Sequence, residues 1–271
     1  MKTILAIAGL GVLLTTAAVL GHVADRASKP VATPDVRLRP ENWNFSAVGK
    51  GARVDWADHT RHRVNLALAA NVPGQGYLIS RQTMHGDFDV KVRVNLRDWE
   101  APPGAVLRLA LMAAQSEDKF SRRAYLAVRQ IRGSEYRAPE DNYTAWFADH
   151  GKPTILSRQP APLGEKRAVL RLLRRGGRLT AFHWAEGLDQ SGQYEAAWVE
   201  DARFEAPCAK PLHVILGISN MAGTQTTVHP AVKASFDLEI HGGRKQPSVL
   251  PSSASMILVA TDRKGNHRAT R

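Results

Sequence analysis

The stretch "GDFDVKVRVNLRDW", residues 86–99, decides the fold of this 271-residue chain. Apolar side chains take every second position in it, and polar or charged side chains take the positions between. Successive side chains of a β-strand point to opposite faces, so this alternation predicts a strand with one buried and one solvated face. The residues predicted to be buried are Phe88, Val90, Val92, Val94 and Leu96.

A second stretch, "VKASFDLEI" at residues 232–240, shows the same alternation. Its polar face carries Asp237 and Glu239, whereas the polar face of the first stretch carries Lys91 and Arg93. Opposite charges on facing positions of adjacent strands attract each other. We therefore expect the two strands to pair, with the carboxylates opposite the cations.

A third stretch, "VLRLLRRGGRLTAFHWAEG" at residues 169–187, predicts a β-hairpin. Gly176 and Gly177 supply the turn, because a two-residue hairpin turn needs positive φ. The alternation places His183 and Trp184 on opposite faces, so these two rings cannot form one platform. The arginines of the hairpin are expected to be surface charge.

Most of the remaining chain consists of short apolar or alternating runs bounded by turn residues. The run "AVLRLALMAA" at residues 105–114 is ambiguous, because Leu, Ala and Met favour helix. Its neighbours are strands and it follows a Pro-Pro-Gly turn, so we interpret it as a central strand. About a dozen short strands with turns between them predict an all-β sandwich or barrel.

Composition divides the chain into four predicted segments. Residues 1–24 form a signal peptide or an N-terminal membrane anchor, because the run 3–21 is free of charge. Residues 25–40, with three prolines, read as a linker. Residues 41–242 form the β-sandwich domain, and residues 243–271 form a basic, largely disordered tail. The body is therefore expected to be exported, either secreted, periplasmic or anchored by the N-terminal segment.

The chain is basic, with 37 Lys and Arg against 25 Asp and Glu. A formal net charge of +12 favours anionic surfaces, and the tail is the segment expected to meet one. Contact with a membrane is expected only through the N-terminal segment. Nucleic acid is not expected as a partner, because the protein is predicted to be exported and has no recognised binding module. The single cysteine excludes an intrachain disulfide.

The hairpin pattern resembles one that recurs in the concanavalin A-like lectin/glucanase superfamily, in particular in its laminin-G-like members. The nearest resemblance is to secreted planctomycete-type domains of unknown function, over residues 41–242. The resemblance implies an all-β jelly-roll of two antiparallel sheets, one of them concave, and it implies carbohydrate contact loosely, because one fold hosts many functions. The matching residues are Leu170, Arg171, Leu172, Arg174, Gly176, Gly177, Leu179, Ala181, Glu186, Gly187 and Trp198.

Catalytic motifs are not found. Glucanases of this superfamily carry Glu-x-Asp-x-x-Glu on one strand, and no Glu of this chain is followed by Asp two positions later. The pairs Asp87 with Asp89 and Asp237 with Glu239 share strand faces, but Lys and Arg surround them and favour the ionised form. No nucleophile elbow, phosphate loop, dinucleotide fingerprint or metal-ligand set occurs, so we expect no cofactor and no metal.

The expected function is non-catalytic binding of glycan or of another cell-envelope polymer. Sugar rings stack on aromatic side chains, and a central-strand Arg needs a partner or an outlet to water. Two alternatives stay open: a glycoside hydrolase of the laminarinase-like fold with atypical carboxylates, and a structural or protein-interaction domain of the cell envelope. The residues predicted to form a polar, aromatic patch on the concave sheet are Arg108, Arg129, Tyr143, Trp146, His183 and Asn220.

Overall fold

The structure is a computed structural model, and strands make up almost all of it. It describes residues 38–56, 63–97, 105–116, 123–132, 141–162, 165–188, 194–204, 210–222, 229 and 231–247. No α-helix occurs in these ranges, and so no helix there is long and apolar enough to cross a membrane.

A short 3-10 turn at Pro40–Asn42 precedes thirteen strands. The strands are β1 (Trp43–Val48), β2 (Ala52–Asp55), β3 (Arg63–Leu68), β4 (Gly74–Leu96), β5 (Ala105–Ala114), β6 (Ala124–Arg132), β7 (Asn142–Asp149), β8 (Lys152–Pro160), β9 (Arg167–Arg175), β10 (Arg178–Leu188), β11 (Tyr194–Phe204), β12 (Leu212–Ala222) and β13 (Val232–Pro247).

The 23-residue strand β4 belongs to two sheets. Its first half pairs with β1 and β12, and its second half pairs with β9 and β13. Sheet one has the order β1-β4-β12-β5-β6-β7-β8, and sheet two has the order β2-β3-β13-β4-β9-β10-β11. Gly86 lies where β4 passes from one set of partners to the other, and its φ of 64° is a conformation that glycine adopts readily. The predicted sandwich of two antiparallel sheets is confirmed.

The core lies between the two sheets, and the predicted alternation feeds it. The apolar positions of the first stretch, from Phe88 to Leu96, are all at most 3% exposed. Asp237 lies opposite Arg93 and Glu239 lies opposite Lys91 in the ladder between β13 and β4, so the predicted strand pairing is confirmed. The ambiguous run is β5, a central strand between β12 and β6.

The β9–β10 hairpin turns at Gly176 and Gly177, whose φ values are 54° and 79°. The prediction that its arginines are surface charge is wrong for Arg174, which is 1% exposed. Its guanidinium donates hydrogen bonds to the carbonyl oxygens of Gly86 and Lys210. It also lies 4.8 Å from the centroid of the Phe88 ring. The Arg174 side chain thus satisfies main-chain carbonyl groups at the end of the core. The sequence shows only a basic residue beside a turn and gives no sign of these partners.

The ordered domain extends past both predicted boundaries. Leu38, placed in the predicted linker, is fully buried in the core. Strand β13 continues to Pro247, five residues beyond the predicted end at 242, because its last residues pair with Gln82–His85 of β4. The predicted signal or anchor, most of the linker, the tail beyond Pro247 and the lone cysteine lie outside the described residues.

Candidate ligand-binding face

Sheet one has a face that points away from sheet two. The residues of its strands that face sheet two belong to the main core cluster, and the residues of opposite parity form a second, smaller cluster. We call the second side the outer face of sheet one. Its buried apolar floor consists of Tyr77, Ile79, Ala110, Met112, Ala114, Ala124, Leu126, Val128, Ala148 and Ile215, with Trp146 packed against it.

Five polar residues cross the outer face in register. Gln75 of β4 lies opposite Ser219 of β12, Ser219 opposite Arg108 of β5, Arg108 opposite Gln130 of β6, and Gln130 opposite Asn142 of β7. We call this set the polar row. Five strands spaced about 4.8 Å apart give it a length of roughly 19 Å.

Arg108 and Trp146 form the accessible part of this face. Both are half-buried, whereas the other members of the polar row are at most 7% exposed. The guanidinium of Arg108 lies 5.0 Å from the centroid of the Trp146 ring, and its Nε donates to Gln130 Oε1 at 3.0 Å. Trp146 Nε1 donates to Thr144 Oγ1 at 2.9 Å, which fixes the plane of the indole.

Tyr77 lies beside the polar row and donates a hydrogen bond from its hydroxyl to Gln75 Oε1. Burial raises the pKa of the Tyr77 phenol, and the positive charge of Arg108 opposes part of that rise. The ring crosses β12 at Gly217, where a Cβ would meet Met112 Cε and Tyr77 Cδ1 at 2.9 Å. Glycine at position 217 therefore lets the side chains of Tyr77 and Met112 pack directly against the backbone of β12.

Among the described strand residues, the charged side chains of the outer face are cations. Apart from the second half of β4, which belongs to sheet two, the strands of sheet one contain a single acidic residue, Asp149, and its position in β7 has the parity of the inner face. Arg108 lies near the centre of the outer face, and Arg158 of the edge strand β8 lies opposite Thr144. The described strand residues of this face thus offer cations, amides and hydroxyls and no carboxylate.

The structure separates the six residues predicted to form one patch. Arg108 and Trp146 lie on the outer face. Arg129 lies opposite Leu109, and Asn220 lies opposite Leu107, so both share the inner face with core leucines. Tyr143 and His183 also point between the sheets, and the prediction of a single patch is therefore wrong for Arg129, Tyr143, His183 and Asn220. Arg129 and Tyr143 occupy odd positions of β6 and β7, and these positions point to the inner face. Asn220 lies on β12, and His183 lies on β10 of sheet two.

Three of these residues meet in a buried polar cluster between the sheets. We call it the Arg129 cluster; it comprises Arg129, Asp141, Tyr143, His183 and Asp201. Arg129 Nη2 donates to Asp141 Oδ2 at 3.2 Å, and the guanidinium lies 5.0 Å from the Tyr143 ring centroid. Tyr143 stacks on His183 with centroids 4.0 Å apart and ring planes 7° apart. His183 Nδ1 lies 2.7 Å from Asp201 Oδ1.

Glu165, just before β9, connects this cluster with solvent. The Tyr143 hydroxyl donates to Glu165 Oε2 at 3.5 Å. Partial burial raises the pKa of the Glu165 carboxyl; Arg129 opposes the rise and the nearby Glu186 adds to it. Burial is also the main cause of the raised pKa of Tyr143. Both groups are thus neutral over a wider pH range than usual.

Asn220 has a structural role at the end of β12. Its side-chain oxygen accepts a hydrogen bond from the Gly74 amide at 2.8 Å, and its Nδ2 donates to the Val72 carbonyl at 3.4 Å. These bonds hold the start of β4, and the side chain is fully buried. An asparagine at this place therefore serves the fold.

Most of the polar row was not predicted from the sequence. Asn142 shares strand parity with Trp146 in the "NYTAWFAD" run, so that run alone could have added it. Gln75, Ser219 and Gln130 needed the strand order, because they come from strands that are distant in sequence and adjacent in the sheet. Among the described residues, no group of three or more His, Cys, Asp or Glu could hold a metal ion.

No family model and no curated protein matches the chain. Solved structures do match it. The VIP36 exoplasmic/lumenal domain in its Ca2+/Man3GlcNAc-bound form has 10% identity and a TM-score of 0.45, with 76% of this chain and 86% of that chain covered. The Bacillus licheniformis β-glucanase has 12% identity and a TM-score of 0.45, with 78% and 97% covered. Peanut lectin with a 9mer peptide has 11% identity and a TM-score of 0.42, with 74% and 92% covered.

Proposed function

We propose that this protein is an exported, non-catalytic β-sandwich that binds glycan or another cell-envelope polymer on the outer face of sheet one. The observation that carries the proposal is the polar row beside the Arg108–Trp146 pair. Amide side chains both donate and accept hydrogen bonds, as sugar hydroxyls do. An indole offers an apolar face for the C–H side of a sugar ring. A mostly apolar floor with a few convergent polar groups is the usual composition of a ligand site.

Export is part of this proposal and rests on the charge-free run at residues 3–21 behind Lys2. We group the protein with the exported planctomycete-type domains that its hairpin resembles. Fractionation of cells that express the full chain, followed by N-terminal sequencing, distinguishes a cleaved signal from a retained anchor. Recovery of the whole protein in the cytoplasm would contradict export.

The test of binding is a glycan array with the full chain, followed by titration calorimetry on the best oligosaccharide. Loss of stacking in Trp146→Ala should weaken affinity by about threefold to tenfold, since aromatic contacts contribute ~0.5–1.5 kcal/mol. Trp184→Ala is the matched control, because Trp184 is a half-buried indole on the outer face of sheet two. Equal affinity of the two variants would contradict a site at Trp146. An array without hits, together with co-purification of a protein partner, would support the alternative of an envelope interaction domain.

A second candidate, a glycoside hydrolase with atypical carboxylates, is favoured by one observation. The raised pKa of Glu165 and its electrostatic coupling to Glu186 resemble what an acid catalyst and its carboxylate partner need. Release of reducing sugar from a polysaccharide panel, abolished in both Glu165→Gln and Glu186→Gln, would support this candidate. Absence of any release with a folded chain would leave binding as the function.

A further inference from the structure

We infer that the glycan bound on the outer face of sheet one carries acetamido groups, and that the polar row recognises their carbonyl oxygens by donating hydrogen bonds. This inference rests on the proposed function and adds the chemical class of the ligand. It follows from the direction in which two glutamines of the row are turned, from a buried hydroxyl without a partner, and from the small apolar side chains beside the row.

Two glutamines of the polar row use their amide oxygens inside the fold. Gln130 Oε1 accepts a hydrogen bond from Arg108 Nε at 3.0 Å. A guanidinium nitrogen can only donate, so the amide nitrogen of Gln130 points away from it. Gln75 Oε1 in turn accepts the hydrogen bond of the Tyr77 hydroxyl. In both glutamines the acceptor atom is thus engaged, and the NH2 group is the part left for a ligand.

The amide nitrogens of Gln75 and Gln130 make no hydrogen bond within the described part of the chain, and neither nitrogen is fully enclosed. Both therefore reach the surface of the outer face, although each glutamine as a whole is at most 7% exposed. A primary amide nitrogen carries two N–H groups. The row thus offers a ligand more donors than acceptors, which favours carbonyl oxygens over hydroxyls, because a carbonyl has no proton of its own to place.

Ser219 adds a third donor to the row, between Gln75 and Arg108. It is 7% exposed, and its Oγ has no hydrogen-bond partner. A buried hydroxyl without a partner costs free energy unless a ligand or a water satisfies it. The O–H group of Ser219 donates to the same kind of acceptor as the amide nitrogens do. An unsatisfied hydroxyl within this row therefore indicates an acceptor that comes from outside the fold.

The row of side chains next to the polar row is small and mostly apolar. In ladder register it contains Tyr77, Gly217, Ala110, Val128 and Thr144. Ala110 and Val128 belong to the apolar floor and are at most 7% exposed. An acetamido group presents a carbonyl oxygen and a methyl group side by side, so the oxygen meets the donors and the methyl meets the floor. A carboxylate has no methyl group, and placing its charge on an apolar floor costs free energy of desolvation.

The test compares two neutral β-1,4-linked hexasaccharides, hexa-N-acetylchitohexaose and cellohexaose. They differ only in whether each sugar carries an acetamido group or a hydroxyl on its second carbon. Titration calorimetry with the full chain measures both affinities. The acetylated probe should bind at least about tenfold more tightly, as expected for two additional hydrogen bonds of ordinary strength.

Ser219→Ala removes the unpaired hydroxyl. It should weaken binding of the acetylated probe by about threefold to tenfold, without lowering the midpoint of urea denaturation, because the hydroxyl has no partner in the fold. Ser157→Ala is the matched control, since Ser157 Oγ is also buried without a partner but lies opposite Ala145 of the core. The control should leave the affinity for both probes unchanged.

Gln130→Glu tests the direction of the hydrogen bonds. It replaces the NH2 group by an oxygen and keeps an oxygen for the bond from Arg108. Binding of the acetylated probe should weaken by about tenfold or more, because two acceptors then face each other. Binding of cellohexaose should change by less than about threefold, since a hydroxyl can donate to the new oxygen.

Equal affinity for the two probes, or tighter binding of cellohexaose, would overturn the acetamido ligand and leave glycan binding intact. Array hits confined to glycans without acetamido groups would do the same. A loss in Ser157→Ala as large as in Ser219→Ala would also overturn the inference, because the effect would not arise on the outer face. Failure of the wild-type chain to bind any glycan would overturn the proposed function as well. If Gln130→Glu does not fold, the two probes on the wild-type chain and on Ser219→Ala still decide the inference.

Discussion

Arg108 and Arg129 lie on neighbouring strands of sheet one and on opposite faces, and their surroundings differ in kind. Arg129 is fully buried, 3.2 Å from the Asp141 carboxylate, and also donates to the Pro162 carbonyl at 3.1 Å. Arg108 is half-buried and lies against an amide and an indole. The first guanidinium is paired with a carboxylate inside the fold, whereas the second is only half-buried and contacts an amide and an indole. The comparison distinguishes an arginine that the fold encloses from one that is partly exposed.

Sheet two shows what a solvated face looks like when the fold itself balances its charges. On its outer face Arg171 donates to both carboxylate oxygens of Asp89, at 2.8 and 2.7 Å, and Arg63 donates to both oxygens of Asp237. Both ion pairs are half-buried. On sheet two the fold itself therefore supplies the carboxylates that Arg63 and Arg171 contact.

The largest effect is expected from Arg129→Met, which should lower the free energy of unfolding by about 3–5 kcal/mol, because it leaves Asp141 buried without its cation. Urea denaturation followed by tryptophan fluorescence measures this change. Arg175→Met, at an exposed position, should stay within about 0.5 kcal/mol of the wild-type chain. A loss below about 1 kcal/mol in Arg129→Met would show that the Arg129 cluster contributes little to folding.

Gly217→Ala should cost about 1–3 kcal/mol, because the added methyl group forces the Tyr77 ring and Met112 away from β12. Gly187→Ala is the matched control, since a Cβ there meets no atom within 4 Å. The control should be neutral or stabilise slightly, by up to ~1 kcal/mol, through the unfolded state. Thermal unfolding of both variants checks the difference. Equal stability of the two variants would mean that Tyr77 and Met112 can move away from β12 without a loss of stability.

Arg108→Met should cost only about 0.5–1 kcal/mol of stability, the usual contribution of a cation over an aromatic ring near the surface. Urea denaturation of Arg108→Met and Arg129→Met under the same conditions compares their losses of unfolding free energy. A cost equal to that of Arg129→Met would remove the contrast between them and make Arg108 a structural residue.

The smallest effect concerns Glu165, whose pKa is raised by partial burial. A carboxyl with a folded-state pKa above its unfolded value contributes stability at low pH, and this contribution is lost as the pH rises through the folded pKa. The stability of the wild-type chain relative to Glu165→Gln should therefore fall as the pH increases across the carboxyl range. Denaturation midpoints of both proteins at several pH values measure it. A relative stability that rises with pH would reverse the assigned sign.

The alternation of apolar and polar residues in the sequence was sufficient to predict the fold. In β4 and β13 each apolar residue is followed by a polar one, and the charges on the two polar faces are complementary, so burial and pairing could both be predicted. The same alternation put Thr144 and Trp146 on one side of β7 and Tyr143 on the other. It gave no account of Arg174, because that side chain bonds to main-chain carbonyls of Gly86 and Lys210 that are distant in sequence.

The sequence by itself determined that this chain forms paired antiparallel sheets around an apolar centre, because side-chain parity and turn residues are local properties. Only the tertiary structure decided which polar residues act together. The polar row is assembled from five strands whose order in the sheet differs from their order in the chain. The predicted patch was divided because successive residues of each strand point to opposite faces of the sheet, so that Arg108 and Arg129 lie on different faces. Register and strand order are set by the packing of the whole domain, so no single stretch of sequence contains them.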